Sequence, residues 1–451
     1  NYNVLIGDEA GTALTTGDFN VAVGFEALST EDADGRNVAV GYQSLKALNA
    51  GSDGENTAVG YRAGLSVTTA QDNVFIGASA GDAITEGGDN TVVGRTALSA
   101  DTLGKKTTAI GGGVLRSQNF TTATDSHNTA VGFNTGAAVT TGIHNTLIGS
   151  LAGDALTDAD DNTVVGYSAL SADTLGDAST AIGKFALANQ NFTTATSALN
   201  TAVGHSAGAA VTTGTVNTLL GAEAGESLTV GHHNTSVGIR SMENNVNGSN
   251  SVAIGSFALQ DQTFATATDG NNVAVGYAAG ANITSGISNT IIGSQAGDAL
   301  TDADFNVAIG LGSLGADTRG SKSVAVGTAC LQAQNFTTAT DTYNTAVGHN
   351  AGNDVTTGIR NTLIGGLSGD AITEGNYNVG VGYQTLTSDV LGTGNTAVGY
   401  SALRDQSFST ATNSYNTGLG YQAGTAISTG TLNTLVGGLA GDALTTGFNN
   451  V

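Results

Sequence analysis

The sequence predicts an all-β chain, a parallel β-solenoid forming a single repeat domain over residues 1–451. Three observations predict it. A glycine-anchored pentapeptide recurs throughout, β-branched residues alternate beside each anchor, and Asn holds one fixed corner of the repeat.

The Gly that closes each N-T-A-V-G-like pentapeptide falls at Gly7, Gly24, Gly41, Gly60, Gly77, Gly94, Gly111 and Gly132. From Gly60 the spacings run 17, 17, 17, 21, and that set returns without error to Gly132, Gly204, Gly276, Gly348 and Gly420, each 72 residues on. There are 25 anchors, ending at Gly437, and the only departure is a spacing of 17 then 19 after Gly24. The unit is a rung of 17 to 21 residues, grouped in fours.

Each position within the rung has its own demand. The residue before the anchor is always aliphatic (Ile6, Val23, Val40, Val59), and the one two residues earlier is Thr or Val (Val4, Val21, Thr57). That period-2 pattern reads as a strand with one face inward. Aliphatic residues seven after the anchor, among them Leu14, Val67, Ile84, Val139 and Leu156, mark a second strand. A helix fails because Gly and β-branched residues recur too densely for a stripe of period 3.6. Four before the anchor sits Asn, except at Thr107, Ser179, Ser251 and Ser323. Asn tolerates a left-handed corner, and stacked copies such as Asn20, Asn37, Asn56, Asn73 and Asn128 suit an amide ladder. Four after the anchor the pattern runs Gly, Gly, Leu, Leu (Gly64, Gly81, Leu98, Leu115).

At about 4.8 Å per rung, 25 rungs would make a rod on the order of 120 Å long. The 21-residue rungs add an insert, N-F-T-T-A-T at 119–124, 191–196 and 335–340, expected to decorate one edge.

Composition narrows the function. The chain has 451 residues with 67 Gly and no Pro or Trp, and 13 basic against 37 acidic residues give a net charge of −24. That balance argues against nucleic acid or an anionic membrane as partner. A single Cys leaves no disulfide framework, and Cys330, in a slot of small residues, reads as packed filling. No apolar stretch is long enough to span a bilayer as a helix. No catalytic constellation stands out, so the reading is non-enzymatic and without cofactor.

Two before the anchor, where a wet strand face would be polar, the residues are apolar: Ala22, Ala39, Phe75, Val92, with larger ones at Leu147, Leu219, Ile291, Leu363 and Leu435. A strand apolar on both faces is covered on both. The expectation is that these five residues line an interface with further copies of the chain.

Weaker site candidates remain. His127 and His144, five before successive anchors, stack as a metal pair or as a solvated corner. Asp158, Asp160 and Asp161 form a Ca²⁺ loop or an acidic turn. Tyr42, Tyr61, Tyr167, Tyr277 and Tyr400, one after their anchors, stack on glycans or serve as plain surface aromatics. Thr pairs such as Thr140–Thr141 are too discontinuous for an ice-binding array.

The N-[TV]-A-[VI]-G-x-x-[AS] core resembles the head repeats of YadA-like trimeric autotransporter adhesins. Segments such as Asn395–Leu403 (N-T-A-V-G-Y-S-A-L) and Asn416–Gly424 look like repeats of bacteriophage tail fibres and bacterial surface fibres. The resemblance spans the whole chain, although its rungs are longer than those of adhesin heads. It implies a left-handed β-roll assembled as a homotrimer, in an extracellular adhesive or host-attachment fibre on a cell surface or virion. The implied partners are the chain itself and a host-surface or glycan receptor. The chain starts at Asn3–Val4 and stops at Asn450–Val451 in the same phase, so the array is expected to continue, in one polypeptide or through an end-to-end partner.

Overall fold

A computed structural model describes residues 2–33 and 35–451. The chain is all-β with no helix among the described residues, a parallel β-solenoid of about 25 turns. It divides into two compact units, Asn1–Glu223 and Ala224–Val451, each built of the same repeat. The first holds thirteen three-residue strands from Val4–Ile6 to Thr218–Leu220, and the second twelve from Thr235–Val237 to Thr434–Val436. Within a unit each strand pairs in parallel, in register, with the strand one turn on. Thr129, Ala130 and Val131 lie beside Thr146, Leu147 and Ile148, and Val324, Ala325 and Val326 beside Thr345, Ala346 and Val347.

The anchor glycine ends each strand because nothing larger fits. Gly60 has φ 144°, and a Cβ there would stand 2.4 Å from the carbonyl oxygen of Gly77. Both the backbone angle and the close approach require glycine. The chain then turns through left-handed corners, in this rung at Glu55 (φ 51°), Arg62 (φ 55°) and Gly64 (φ 58°).

The expected second strand does not form. Leu14, Val67, Ile84, Val139 and Leu156 are outside any strand, although Val67, Ile84, Val139 and Leu156 are fully buried. Backbone bends on this side leave isolated bonds between turns, such as Thr68 N–H to Thr85 C=O at 2.9 Å and Thr140 N–H to Thr157 C=O at 2.8 Å. Further pairing occurs only beside the long rungs, where Gly104–Lys105 runs parallel to Thr124–Asp125 and Gly320–Ser321 to Thr340–Asp341. In the inserts Phe120 and Phe192 are buried, whereas Asn119, Thr121, Thr122 and Ala123 are exposed.

The strand faces are also reversed from the expectation. The middle residue of each strand points into the coil: Ala22, Phe75, Leu147, Leu219, Ile291 and Leu363 have no exposure, and Leu435 has 7 %. The five residues Leu147, Leu219, Ile291, Leu363 and Leu435 are therefore core residues of their own chain and form no subunit interface. Their 72-residue period has a packing cause. A Cβ on Gly136 would lie 2.7 Å from Leu147 and one on Gly153 3.0 Å from it; Phe75 crowds Gly64 and Gly81 in the same way. Where the position four after the anchor is Leu, as at Leu28 or Leu115, the facing strand residue is Ala22 or Ala109. Large and small alternate across a narrow interior so that its volume stays constant.

Leu147→Ala should therefore lower stability by about 2–4 kcal/mol by opening a cavity between Gly136 and Gly153. Thermal unfolding together with solution mass checks this. A fall in melting temperature with unchanged mass is expected, whereas loss of association without loss of stability would restore the interface role.

Candidate functional surface

With the middle residues inside, the outer strand face is formed by the residues on either side. Ile76, Ile110, Ile148 and Leu220 in the first unit, and Ile254, Ile292, Ile364 and Leu419 in the second, are 37–46 % exposed. Between them stand half-buried Val93, Val131, Val165 and Ile182, or Val275, Ile309, Val326 and Val347. Each unit thus presents a continuous aliphatic stripe in which in-register neighbours cover one another's sides but not their tips.

Beside this stripe, one residue after the anchors, run aromatic ladders. Phe25, Tyr42 and Tyr61 stack at 5.3 Å with interplanar angles of 17° and 9°. Tyr383, Tyr400 and Tyr421 stack at 5.8 and 5.3 Å in the second unit. The faces of the central rings Tyr42 and Tyr400 are taken up by their neighbours, leaving edges and hydroxyls to solvent. A sugar that stacks through its C–H face would find little there.

The corner Asn residues do more than stack. The Oδ1 of Asn20 accepts the backbone N–H of Asn37 at 2.9 Å, Asn37 that of Asn56 at 3.0 Å, Asn56 that of Asn73 at 3.1 Å, and Asn128 that of Asn145 at 2.8 Å. Meanwhile Nδ2 crosses the coil: Asn56 donates to Ala70 C=O at 2.9 Å and Asn128 to Gly142 C=O at 2.8 Å. Each side chain ties one turn to the next and one wall to the other. Direct amide-to-amide bonds, such as Asn73 Nδ2 to Asn56 Oδ1 at 3.1 Å, are an addition.

Beside the long rungs, where the corner residue is Thr107, Ser179, Ser323 or Asn395, a further buried polar network stands. The Asp101 carboxylate accepts from Gly104 N–H (3.0 Å), Phe120 N–H (3.3 Å) and Gln118 Nε2 (2.7 Å). Gln118 Oε1 in turn accepts from Asn128 Nδ2 at 2.9 Å. The set recurs as Asp173–Gln190–Asn200, Asp317–Gln334–Asn344 and Asp389–Gln406–Asn416. Sequence reasoning missed it, although Asp-x-x-Gly and Gln-x-Phe at 72-residue spacing were its signal. Burial pushes the Asp101 and Asp173 carboxyls above the usual range, against the pull of these donors, and pushes Asp389 up to about 6.

The other candidates scatter. His127 and His144 stack at 5.7 Å, and His144 Nδ1 lies 3.3 Å from Asp161. Asp158 meets the Thr141 hydroxyl, while Asp160 accepts from Ile143 N–H at 2.7 Å. The three carboxylates thus serve three different partners and do not close on one ion. Asp82, Asp154, Asp298 and Asp370 lie half-buried, and burial holds their carboxyls high. Cys330 is fully buried and its thiol is pushed up to about 12 by that burial.

Two outcomes follow. Native protein at pH 8 should leave Cys330 unreacted with a maleimide until denaturant is added; rapid labelling would contradict its packing. For Asp389 the sign is set by a folded value above the unfolded one. The ionisation penalty is absent below about pH 4 and complete above about pH 6, so stability falls as pH rises between them, by on the order of 3 kcal/mol. Chemical denaturation across that range should show the slope in the wild type and a flatter one in Asp389→Asn, and equal slopes would refute the assignment.

In comparisons with known proteins, no family model matches the chain and no curated protein matches it. The likeness to adhesin and tail-fibre repeats therefore rests on the pentapeptide motif.

Proposed function

We propose that this chain is a non-catalytic structural segment, the shaft or head of an extracellular adhesive or host-attachment fibre, that associates with copies of itself as a homotrimer. One observation carries the proposal. Each unit keeps an aliphatic stripe of Ile, Val and Leu half-open to water along its strand face. A polar side chain would satisfy the fold equally at those outward positions, and an apolar stripe of this kind marks an association surface. The partner best matched to a stripe of fixed pitch is another stripe of the same pitch. Cyclic, three-fold contacts between the strand faces would bury the Ile tips against neighbouring copies.

The motif resemblance supports the same reading, and with it a place at a cell surface or virion and a receptor on a host surface. The acidic excess, 37 against 13, keeps such assemblies apart from one another and from nucleic acid. A glycan-binding role through the Tyr ladders is the weaker reading, since their central ring faces are occupied.

Light scattering at several concentrations tests the proposal. A concentration-independent mass of three chains is expected, falling toward one chain in Ile110→Asp/Ile148→Asp with little change in the far-ultraviolet spectrum. A clean monomer in the wild type would overturn it.

A further inference from the structure

One place in the first unit breaks the internal repeat. Its position one after the anchor is Gly112, where the four later super-repeats carry Lys184, Ser256, Thr328 and Tyr400. The next residue, Gly113, is buried with Asn134 Oδ1 against it, so the missing outward side chain is the one at Gly112. The gap is a cavity of about 380 Å³ lined by Arg95, Thr96, Gly112, Gly113, Arg116, Phe133 and Asn134.

What surrounds the gap is chemically specific. Phe133 is 62 % exposed and, unlike the ladder aromatics, has no ring partner among the described residues. Its ring lies over Gly112: a Cβ there would be 3.7 Å from the ring edge. Arg95 makes no ion pair among the described residues, and Arg116 reaches only Asn134 Oδ1, at 3.4 Å. The carboxylate of Asp154 acts on Arg116 through space. Two of only 13 basic residues thus converge on one cavity in a chain of net charge −24. By contrast, a cavity beside Asp72, Glu86 and Asp89 has one cation, Lys105, against three carboxylates, and another beside Asp298 has no cation in its lining.

We infer that this notch binds a carboxylated saccharide, a uronate or similar acidic sugar, with its apolar face on Phe133 and its carboxylate between Arg95 and Arg116. An aromatic face takes the C–H side of a pyranose, guanidinium groups take a carboxylate in a planar fork, and Thr96 and Asn134 supply hydroxyl partners. Neither the aromatic face nor the cations alone select this class. Their meeting around the one cavity left by Gly112 does. The inference is independent of self-association, since it uses one chain only.

The test is titration of the intact protein with methyl β-glucuronide and, separately, methyl β-glucoside, followed by nuclear magnetic resonance. The glucuronide is expected to bind with a Kd on the order of 1 mM, as befits a ligand of this size, and the glucoside at least about tenfold more weakly. Gly112→Thr fills the notch with the residue found at Thr328 and should abolish binding without lowering the melting temperature. Arg95→Gln should weaken the glucuronide about fivefold or more, while Asp154→Asn, which frees Arg116, should tighten it. Equal affinity for the two sugars, unchanged binding in Gly112→Thr, or no binding of the glucuronide at 20-fold that concentration would each overturn the inference.

Discussion

Successive turns approach so closely at the anchor glycines that no Cβ fits between them, and the other features of each unit follow from that closeness. A Cβ on Gly24, Gly60 or Gly204 would lie 2.4 Å from the next turn's carbonyl oxygen. The closeness keeps the strands in register and limits them to three residues before the chain must turn. It also makes the interior narrow. Only one strand residue per turn points inward, and whatever it occupies must be vacated opposite, as Phe75 does with Gly64 and Gly81. The alternation of Ala with Leu and of Leu with Gly is therefore a statement about volume, and the 72-residue period is the period at which that volume is balanced.

A narrow interior also makes unpaired polar groups costly. The Asn ladder answers this for the ordinary turn, since each amide satisfies a backbone N–H of the next turn and a carbonyl of the far wall. Burying such a side chain is tolerable because both of its ends are bonded. The longer turn adds four residues beside the corner, and its buried backbone groups need further partners. There Asp101 and Gln118 supply them, the carboxylate collecting three donors and the amide passing the chain of bonds to Asn128. A carboxylate suits the centre of that network because every neighbour it meets is a donor. The cost is a buried charge, visible in the raised carboxyls of Asp101, Asp173 and Asp389.

The turn, its length and the location of its strand were legible in the sequence because they depend on spacing alone. Which strand face is inside was not. Ile110 and Ala109 are both apolar, and the common expectation places the larger, β-branched residue in the core. The structure does the opposite because a narrow coil accepts Ala109 facing Leu115, and the wide Ile110 goes outward. Likewise Leu14 and Val139 were read as strand because they are aliphatic at a fixed position. Val139 is a core residue and Leu14 is half-buried, both on bent backbone between Ala and Thr. The Asp–Gln–Asn network was hidden for a different reason. Its partners are 10 to 19 residues apart, and Asp101 in D-T-L-G looks like an ordinary turn aspartate.

Because the inward positions meet every demand of the fold, the outward ones are free to vary, and their composition records something other than folding. The aliphatic stripe is kept in both units although water faces it, which is the argument for a partner of matching pitch. Beside it the aromatic position tolerates Tyr61, Ala78, Arg95, Gly112, Phe133 and Ser150 in turn. Most of these are explained by their neighbours: rings stack on rings, and small residues leave shallow gaps. Gly112 is not explained in this way. It removes the side chain that would have covered the Phe133 face, and it does so between two arginines in a strongly acidic chain. Gly366 leaves a similar gap under Tyr383, but at Gly112 the opening is lined by the exposed Phe133 face together with Arg95 and Arg116.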